Sequence, residues 1–351
     1  MRLMLFFSLF FITLSCGRYE DEGLQVTGKI GELLIVADDD IWNSPEVKAA
    51  LDSALTRFIM PYIPDVSTFE LIHRNHSTFD GGIKRHRNVL IINLLPETQN
   101  AMAELNFIKE GWARDQAIME INVRDKKQLI KLLNSKTIDQ VHNYYDECEW
   151  KRIVERFGKE QNEYVQQEIK KTFGIDIQLP DGSGIVTSNQ NFYRIEFPPA
   201  SRPIEFPNIG KQDVGVIWEG VMIYQYDFKD SSQLRFESLL RARDTMLKYN
   251  VPHEIEGQYM GTQYVKMVYP EMTATTNING SVKGLEMRGM FQFQGNTIPT
   301  TGGAFWAFHF VHPTRKKVIC ISGYVDAPVT TSWTHFLREI QAVWKSVELI
   351  R

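Results

Sequence analysis

Residues 137–173 repeat apolar side chains at helical spacing across 37 positions, with no proline among them. Val141, Tyr144, Tyr145 and Cys148 begin the stripe, and Trp150, Ile153, Val154, Phe157, Tyr164, Val165, Ile169 and Phe173 continue it. At ~1.5 Å per residue an unbroken helix here spans roughly 55 Å. Thr137-Ile138-Asp139-Gln140 reads as its capping box, and Gly158 is where it would kink. The heptad register is poor, so the run predicts an amphipathic helix bridging two domains rather than a coiled coil. That excludes an all-β chain and agrees with the roughly two domains expected of 351 residues.

On the N-terminal side, Glu32-Leu33-Leu34-Ile35-Val36-Ala37 is an apolar run typical of a strand buried on both faces. It stops at Asp38-Asp39-Asp40. A helix follows, with Ser44 as N-cap, Pro45 at its first position and Val47, Ala50, Leu51, Ala54, Leu55 and Phe58 inward, closed by Pro61 and Pro64. Phe69–His73, Asn88–Leu94 and Ala117–Val123 are further strands. The order predicts a small α/β domain over 29–135, followed by the long connecting helix over 136–173.

From 174 to 351 an α+β domain is expected. Ile175 to Leu179 leads into a Pro180-Asp181-Gly182 turn, and strands follow near 185–187 and 192–197. A proline-rich loop (Pro198, Pro199, Pro203, Pro207) precedes a long strand, Val216 to Phe228. A helix then turns Phe236, Leu239, Leu240, Met246 and Leu247 inward and ends at Pro252. Four more strands are expected near 264–269, 285–294, 304–312 and 317–325. In the second of these, Leu285, Met287, Gly289, Phe291 and Phe293 alternate with Glu286, Arg288, Gln292 and Gln294, which predicts one buried and one solvated face. A strongly amphipathic helix carrying Trp333, Phe336, Leu337, Ile340, Val343, Trp344 and Val347 closes the chain.

The N-terminus reads separately. Leu3–Leu14 is apolar but shorter than the ~20 residues of a spanning helix, and it fits the core of a secretory signal peptide. It ends in Leu14-Ser15-Cys16, which resembles the lipobox of bacterial lipoproteins. There the chain is cut before a cysteine carrying diacylglycerol, and the new amine takes an N-acyl chain. Thr13 departs from the leucine usual at that place, and the competing reading is an ordinary signal peptide with a chance cysteine. The resemblance implies a signal peptide over 1–15, a lipidated tether over 16–28, and Cys16 as the attachment point. Two or more acyl chains hold a protein firmly on a membrane. Acidic residues after Cys16 resemble a sorting signal of surface-exposed Bacteroidetes lipoproteins. Loss of residues 1–15 removes Arg2 and no acid, so 38 basic residues stand against 43 acidic ones and the net charge moves from −4 to −5. That balance gives no reason to expect nucleic acid as a partner, and a composition 43% apolar and 23% charged excludes intrinsic disorder.

Several stretches together carry a wider resemblance. They are Gly28-Lys29-Ile30-Gly31-Glu32-Leu33-Leu34-Ile35-Val36, His86-Arg87-Asn88-Val89-Leu90-Ile91, Phe173-Gly174-Ile175 with Leu179-Pro180-Asp181-Gly182, Ala242-Arg243-Asp244 and Asn250-Val251-Pro252. In order and spacing they resemble an uncharacterised family of Bacteroidetes lipoproteins, domain of unknown function 4837. The family implies a lipid anchor and an envelope location, and no activity. From Gly174 onward the order of elements is similar to the Mog1/PsbP-like α-β-α sandwich. That resemblance implies partner binding or scaffolding rather than catalysis.

Candidate chemistry is sparse. Asp38, Asp39 and Asp40 follow a buried strand, where carboxylates can hold Mg²⁺ or Ca²⁺, although a solvated loop is the plainer account. Lys84-Arg85-His86-Arg87 is a cluster suited to phosphate, carboxylate or headgroups, or simply a solvated turn. His73 with His76, and His309 with His312, have a three-residue spacing that chelates on a helix; on a strand it sends the rings to opposite faces. Cys148 and Cys320 read as two buried thiols, though an oxidising envelope permits a bridge. Aromatic residues over 285–312 suit either a core or a groove for an apolar ligand.

The expectation is therefore an α+β envelope lipoprotein of two domains, lipid-anchored, most plausibly at the outer membrane, without a cofactor beyond its acyl chains. It would be a non-enzymatic binding or scaffolding protein, with the membrane and an envelope protein as partners. The rivals are a metal-assisted hydrolase using Asp38, Asp39 and Asp40 with Arg85 or Arg87 holding an anionic substrate, and a carrier of a small apolar ligand.

Overall fold

The computed structural model describes residues 23–95, 103–108, 111–159, 161–206, 211–295, 298–299, 301–328 and 332–350, with backbone alone for 201–206 and 211–214. Cys16, the signal peptide and most of the expected tether lie outside the described residues.

The N-terminal half runs β1 (Glu32–Val36), α1 (Asp39–Trp42), α2 (Pro45–Leu51), β2 (Glu70–Arg74), β3 (Asn88–Leu94), β4 (Glu104–Ile108), β5 (Ala117–Val123) and α3 (Lys126–Leu133). Its sheet has the order β2-β1-β3-β5-β4. β1 pairs in parallel with β2 and β3, β3 does so with β5, and β4 is an antiparallel edge that the sequence reading did not anticipate. Leu33, Ile35, Leu90 and Ile92 face a core with α2 and α3, while Leu34, Val36, Val89 and Ile91 fill the opposite face. Burial on both faces is what the continuous apolar runs predict.

The helical stretch is two helices, α4 (Thr137–Lys159) and α5 (Glu163–Phe173). The Asn162 side chain accepts from Val165 N and starts the second. α4 bridges as expected: Ile138, Val141 and Tyr145 pack in the N-terminal core, Ile153 and Phe157 in the C-terminal one. Gly174, at φ 70°, ends α5 in the left-handed conformation that glycine adopts freely.

The C-terminal half continues with β6 (Ile175–Asp176), β7 (Gly184–Asn189), β8 (Phe192–Glu196), β9 (Ala200–Phe206), β10 (Lys211–Asp227), α6 (Phe236–Asn250), β11 (Gln258–Thr262), β12 (Glu271–Thr276), β13 (Lys283–Gly295), β14 (Gly302–His312), β15 (Lys317–Asp326), α7 (Thr334–Lys345) and β16 (Glu348–Leu349). Antiparallel pairing gives the order β11-β13-β14-β15-β10-β8-β7, with β12 on β13 and β9 on β10. Two expectations are corrected here. Residues 266–268 form a 3-10 turn, and the strands lie on either side of it as β11 and β12. The proline-rich stretch is mostly β9, which among the described residues pairs with β10 alone, an edge position that tolerates proline.

One face of this sheet packs on α5 and α7, with Val221, Ile223, Phe308, Phe310 and Ile321 meeting Phe336, Leu337, Ile340 and Trp344. The other packs on α6, with Met222, Tyr224, Phe291 and Phe305 meeting Leu239, Leu240 and Leu247. The layers are therefore helix, sheet, helix. Ile30, Ile59, Tyr62 and Val66 of the N-terminal half belong to the α7-side core, and Tyr62 donates to the carbonyl of Phe305 at 2.9 Å. The two halves share one apolar interface.

Candidate functional site

The carboxylates and arginines of the hydrolase reading do not converge. β1 and β3 are parallel, with Leu34 opposite Val89 and Val36 opposite Ile91. Asp38, Asp39 and Asp40 follow the end of β1, whereas Arg85 and Arg87 precede the start of β3, level with Glu32. At ~3.3 Å per residue the two groups stand about 20 Å apart along the sheet. All three aspartates are exposed, and Asp40 pairs with Lys126 at 3.2 Å. Among the described residues no group of three or more His, Cys, Asp or Glu is placed to hold a metal ion.

The histidines also separate. His73 bonds the carbonyl of Ala37 at 2.9 Å and stacks on Trp42, while His76 bonds that of Ile92 at 3.0 Å. His309 lies beside Tyr224 on the α6 side of the sheet, and His312 bonds the carbonyl of Gly174 at 3.1 Å. Cys148 and Cys320 are both free, in different cores, and burial raises both thiols, Cys320 to about 12. Of the aromatic residues offered for an apolar groove, Phe291 and Phe305 pack beneath α6 and Phe308 stacks on Trp344 at 5.0 Å, while Trp306 lines a cleft.

Arg87 has a different role from the one the sequence suggested. Its Nε donates to Glu149 at 2.7 Å, and the carboxylate of Glu149, fully buried on α4, also accepts from Arg152 and from Asn88 at 2.7 Å. Burial alone would raise this carboxyl, but Arg152 and Arg87 outweigh it and hold Glu149 down at about 2. Burial also holds Arg87 below the usual arginine range, which Glu149 only partly offsets.

What the fold brings together is a cleft of about 350 Å³ between the halves. α7 contributes Arg338, Gln341 and Lys345, β13 contributes Glu286 and Arg288, and β14 contributes Trp306. Asp146 and Trp150 of α4 and Arg57 of the N-terminal half complete the walls. Four cations thus face two carboxylates. Two of the four are committed: Arg338 donates to the Thr68 carbonyl and to Asp146 at 2.7 Å, and Arg57 pairs with Asp139 at 2.5 Å. Burial would raise Asp146, yet Arg338 and His142 hold it below the usual carboxylate range. Arg288 reaches Glu271 only at 3.7 Å and Glu286 at 4.0 Å. Lys345 has no carboxylate within 4 Å among the described residues; its Nζ donates to the Thr276 carbonyl at 3.0 Å and lies 4.5 Å from the Trp150 ring. Burial lowers its pKa. Trp306 is 4% exposed and its buried indole N–H has no acceptor among the described residues. The cleft therefore offers two loosely committed cations beside aromatic rings, a setting for an anion with an apolar part.

The sequence reading missed these residues. Arg338, Gln341 and Lys345 recur at i, i+3 and i+7 beside the apolar stripe of the closing helix, which is the signal that could have found them. Glu286 and Arg288 were assigned to a solvated face; the N-terminal half and α7 cover that face where these two residues sit.

No curated protein matches the chain. Among solved structures it is similar to the Ran-binding protein Mog1p of Saccharomyces cerevisiae, at 12% identity and a TM-score of 0.31, over 50% of this chain and 90% of that one. It is also similar to the cyanobacterial PsbP of Synechocystis, at 10% identity and a TM-score of 0.24, over 48% of this chain and 92% of that one. Residues 26–158 match a domain of unknown function, DUF8532, so the stretches around Gly28 and His86 fall in that match. Residues 162–346 match a second domain of unknown function, DUF4837, and with more than half of its length inside that match the chain belongs to the DUF4837 family.

Proposed function

We propose that this chain is a lipid-anchored binding protein of a bacterial cell envelope, held at the outer membrane through Cys16, whose body takes a small organic anion in the cleft between its halves. The cleft carries the reading: Arg288 meets its carboxylates only at 3.7 and 4.0 Å, and Lys345 ion-pairs with none among the described residues. Clefts where two units meet, apolar-walled with a few convergent polar groups, are common ligand sites. An anion there would pair with both cations at once. A protein partner at the envelope would then meet a body whose halves the ligand clamps together.

Two experiments test this. Titration with benzoate and with citrate at constant ionic strength, followed by tryptophan fluorescence, is expected to show saturable binding of at least one of them. Arg288→Gln should weaken it at least tenfold; no binding by either anion, or equal binding by the variant, sinks the cleft reading. For the anchor, Cys16→Ala is expected to move the protein from the membrane fraction to the soluble one, and a fully membrane-bound Ala variant contradicts it.

A further inference from the structure

A second recess lies where residues 24–27 are strapped across the start of β3. Thr27 N donates to the Arg85 carbonyl at 2.8 Å, the Thr27 carbonyl accepts from Arg87 N at 2.9 Å, and the Leu24 carbonyl accepts from Arg114 N at 2.9 Å. Gln25 and Val26 form one wall; Arg152, Arg156 and Lys159 of α4 form another. The recess is about 200 Å³. At ~30 Å³ per water that is roughly six or seven waters, enough room for a tetrahedral oxyanion of five heavy atoms.

Its lining is cationic. Arg87 and Arg114 join the three basic side chains of α4, against Asp115 and Glu155. Behind them Glu149 is shared between Arg87 and Arg152 and so neutralises only one of the two. Arg114 pairs with Asp115 at 3.2 Å, and Arg156 pairs with Glu339. Counting Glu149 and Glu339 with the lining acids still leaves one positive charge in excess. The donors are also underfilled. Arg152 is 7% exposed, and its Nε is buried with no partner. The only side-chain bond of Arg87 runs from its Nε to Glu149, so its two terminal nitrogens have no partner among the described residues. Lys159, exposed on the rim, makes no ion pair among the described residues.

We propose that this recess is a phosphate-binding site, taking a phosphate group either free or borne on a lipid headgroup. Guanidinium forks match phosphate oxygens two at a time, and donors converging from β3, from α4 and from the loop carrying Arg114 suit a tetrahedral anion better than a planar carboxylate. The site stands on its own geometry; only the choice of source rests on the anchor at Cys16. Gln25 lies nine positions after Cys16, a reach of at most about 32 Å at ~3.6 Å per residue, short enough to keep the recess near a membrane holding Cys16.

The test uses the full mature chain carrying Cys16→Ser, so that acyl chains cannot themselves produce membrane binding. Calorimetric titration with inorganic phosphate forms one arm. Co-sedimentation with phosphatidylcholine vesicles, with and without phosphatidic acid, forms the other. Saturable binding in the first arm alone assigns the site to free phosphate; binding that requires phosphatidic acid assigns it to headgroups. In either case Arg114→Gln combined with Lys159→Gln, both on the exposed rim, should lower affinity at least tenfold with an unchanged thermal melt. No binding in either arm, or binding that the double variant leaves intact, overturns the proposal. Should the anchor reading fail, wild type and Cys16→Ser will sediment alike, and the phosphate arm still decides the site.

Discussion

Glu149→Gln is expected to destabilise the protein by about 3 kcal/mol at pH 7, because it leaves Arg87 and Arg152 with no counter-charge in a site mostly removed from water. Breaking one partner of a buried pair typically costs ~3–5 kcal/mol, and the lower end applies here because the recess beside the arginines is open to solvent. The corresponding drop in melting temperature is roughly 4 °C for a chain of this length unfolding as one unit. Glutamine keeps the shape and one acceptor oxygen, so the loss reports charge rather than a cavity. The pH dependence carries the sign. Glu149 sits at about 2 in the folded protein against an ordinary 4.5. Its contribution is therefore complete above pH ~5 and is lost as pH falls from there toward 2, on the order of 3 kcal/mol in all. Other depressed carboxyls, Asp146 and Glu339, titrate in the same acidic window, so wild type alone cannot isolate the effect. The difference between wild type and Glu149→Gln does. It should narrow steadily between pH 5 and pH 3 in chemical denaturation, and a deficit below about 1 kcal/mol, or one independent of pH, contradicts the account.

The elements that the sequence made legible are those whose pattern is local. Leu33 to Ala37 and Val89 to Ile92 are apolar without a break, and each lies buried on both faces. His309 and His312 differ by an odd step, and the strand sends them to opposite cores. Gly174 ends a helix because a left-handed residue is needed there. What stayed hidden depends on partners distant in sequence. Nothing around Asp38 or Arg87 tells that β1 and β3 run parallel, and that single fact puts them at opposite ends of a sheet. Arg288 alternates with apolar neighbours like any solvated residue, and only the arrival of α7 and Arg57 turns its face into a cleft wall. Glu149 reads as a surface position of an amphipathic helix until Arg87, Asn88 and Arg152 surround it. Pro203 in β9 and the turn at 266–268 misled for the opposite reason: a local signal was outvoted by pairing with β10 and β13.

Arg338→Met should cost a similar amount, about 3 kcal/mol, by loosening the two halves from one another. Arg338 lies on α7, is 2% exposed, donates to the Thr68 carbonyl, pairs with Asp146 at 2.7 Å and stacks over Phe69, its guanidinium 4.4 Å from the ring centroid. Each contact except that to Asp146 crosses from the C-terminal half to the N-terminal one, and Asp146 sits on the helix that bridges them. Methionine keeps the apolar stem but leaves the Thr68 carbonyl without this donor and Asp146 with His142, at 3.2 Å, as its remaining close partner. Burial would then raise the Asp146 carboxyl. The sign reverses relative to wild type: a carboxyl raised in the folded state favours folding as pH falls, so the deficit of the variant should shrink below pH 5. The interface offers a second readout. Because Ile30, Ile59, Tyr62 and Val66 share a core with α7, the wild-type protein should unfold in one transition. With Arg338 gone, hydrogen exchange should accelerate in α7 and in residues 59–69 while β3 and β5 keep their protection. Uniform acceleration across both sheets would instead mean that Arg338 supports the whole fold and not the seam between its halves.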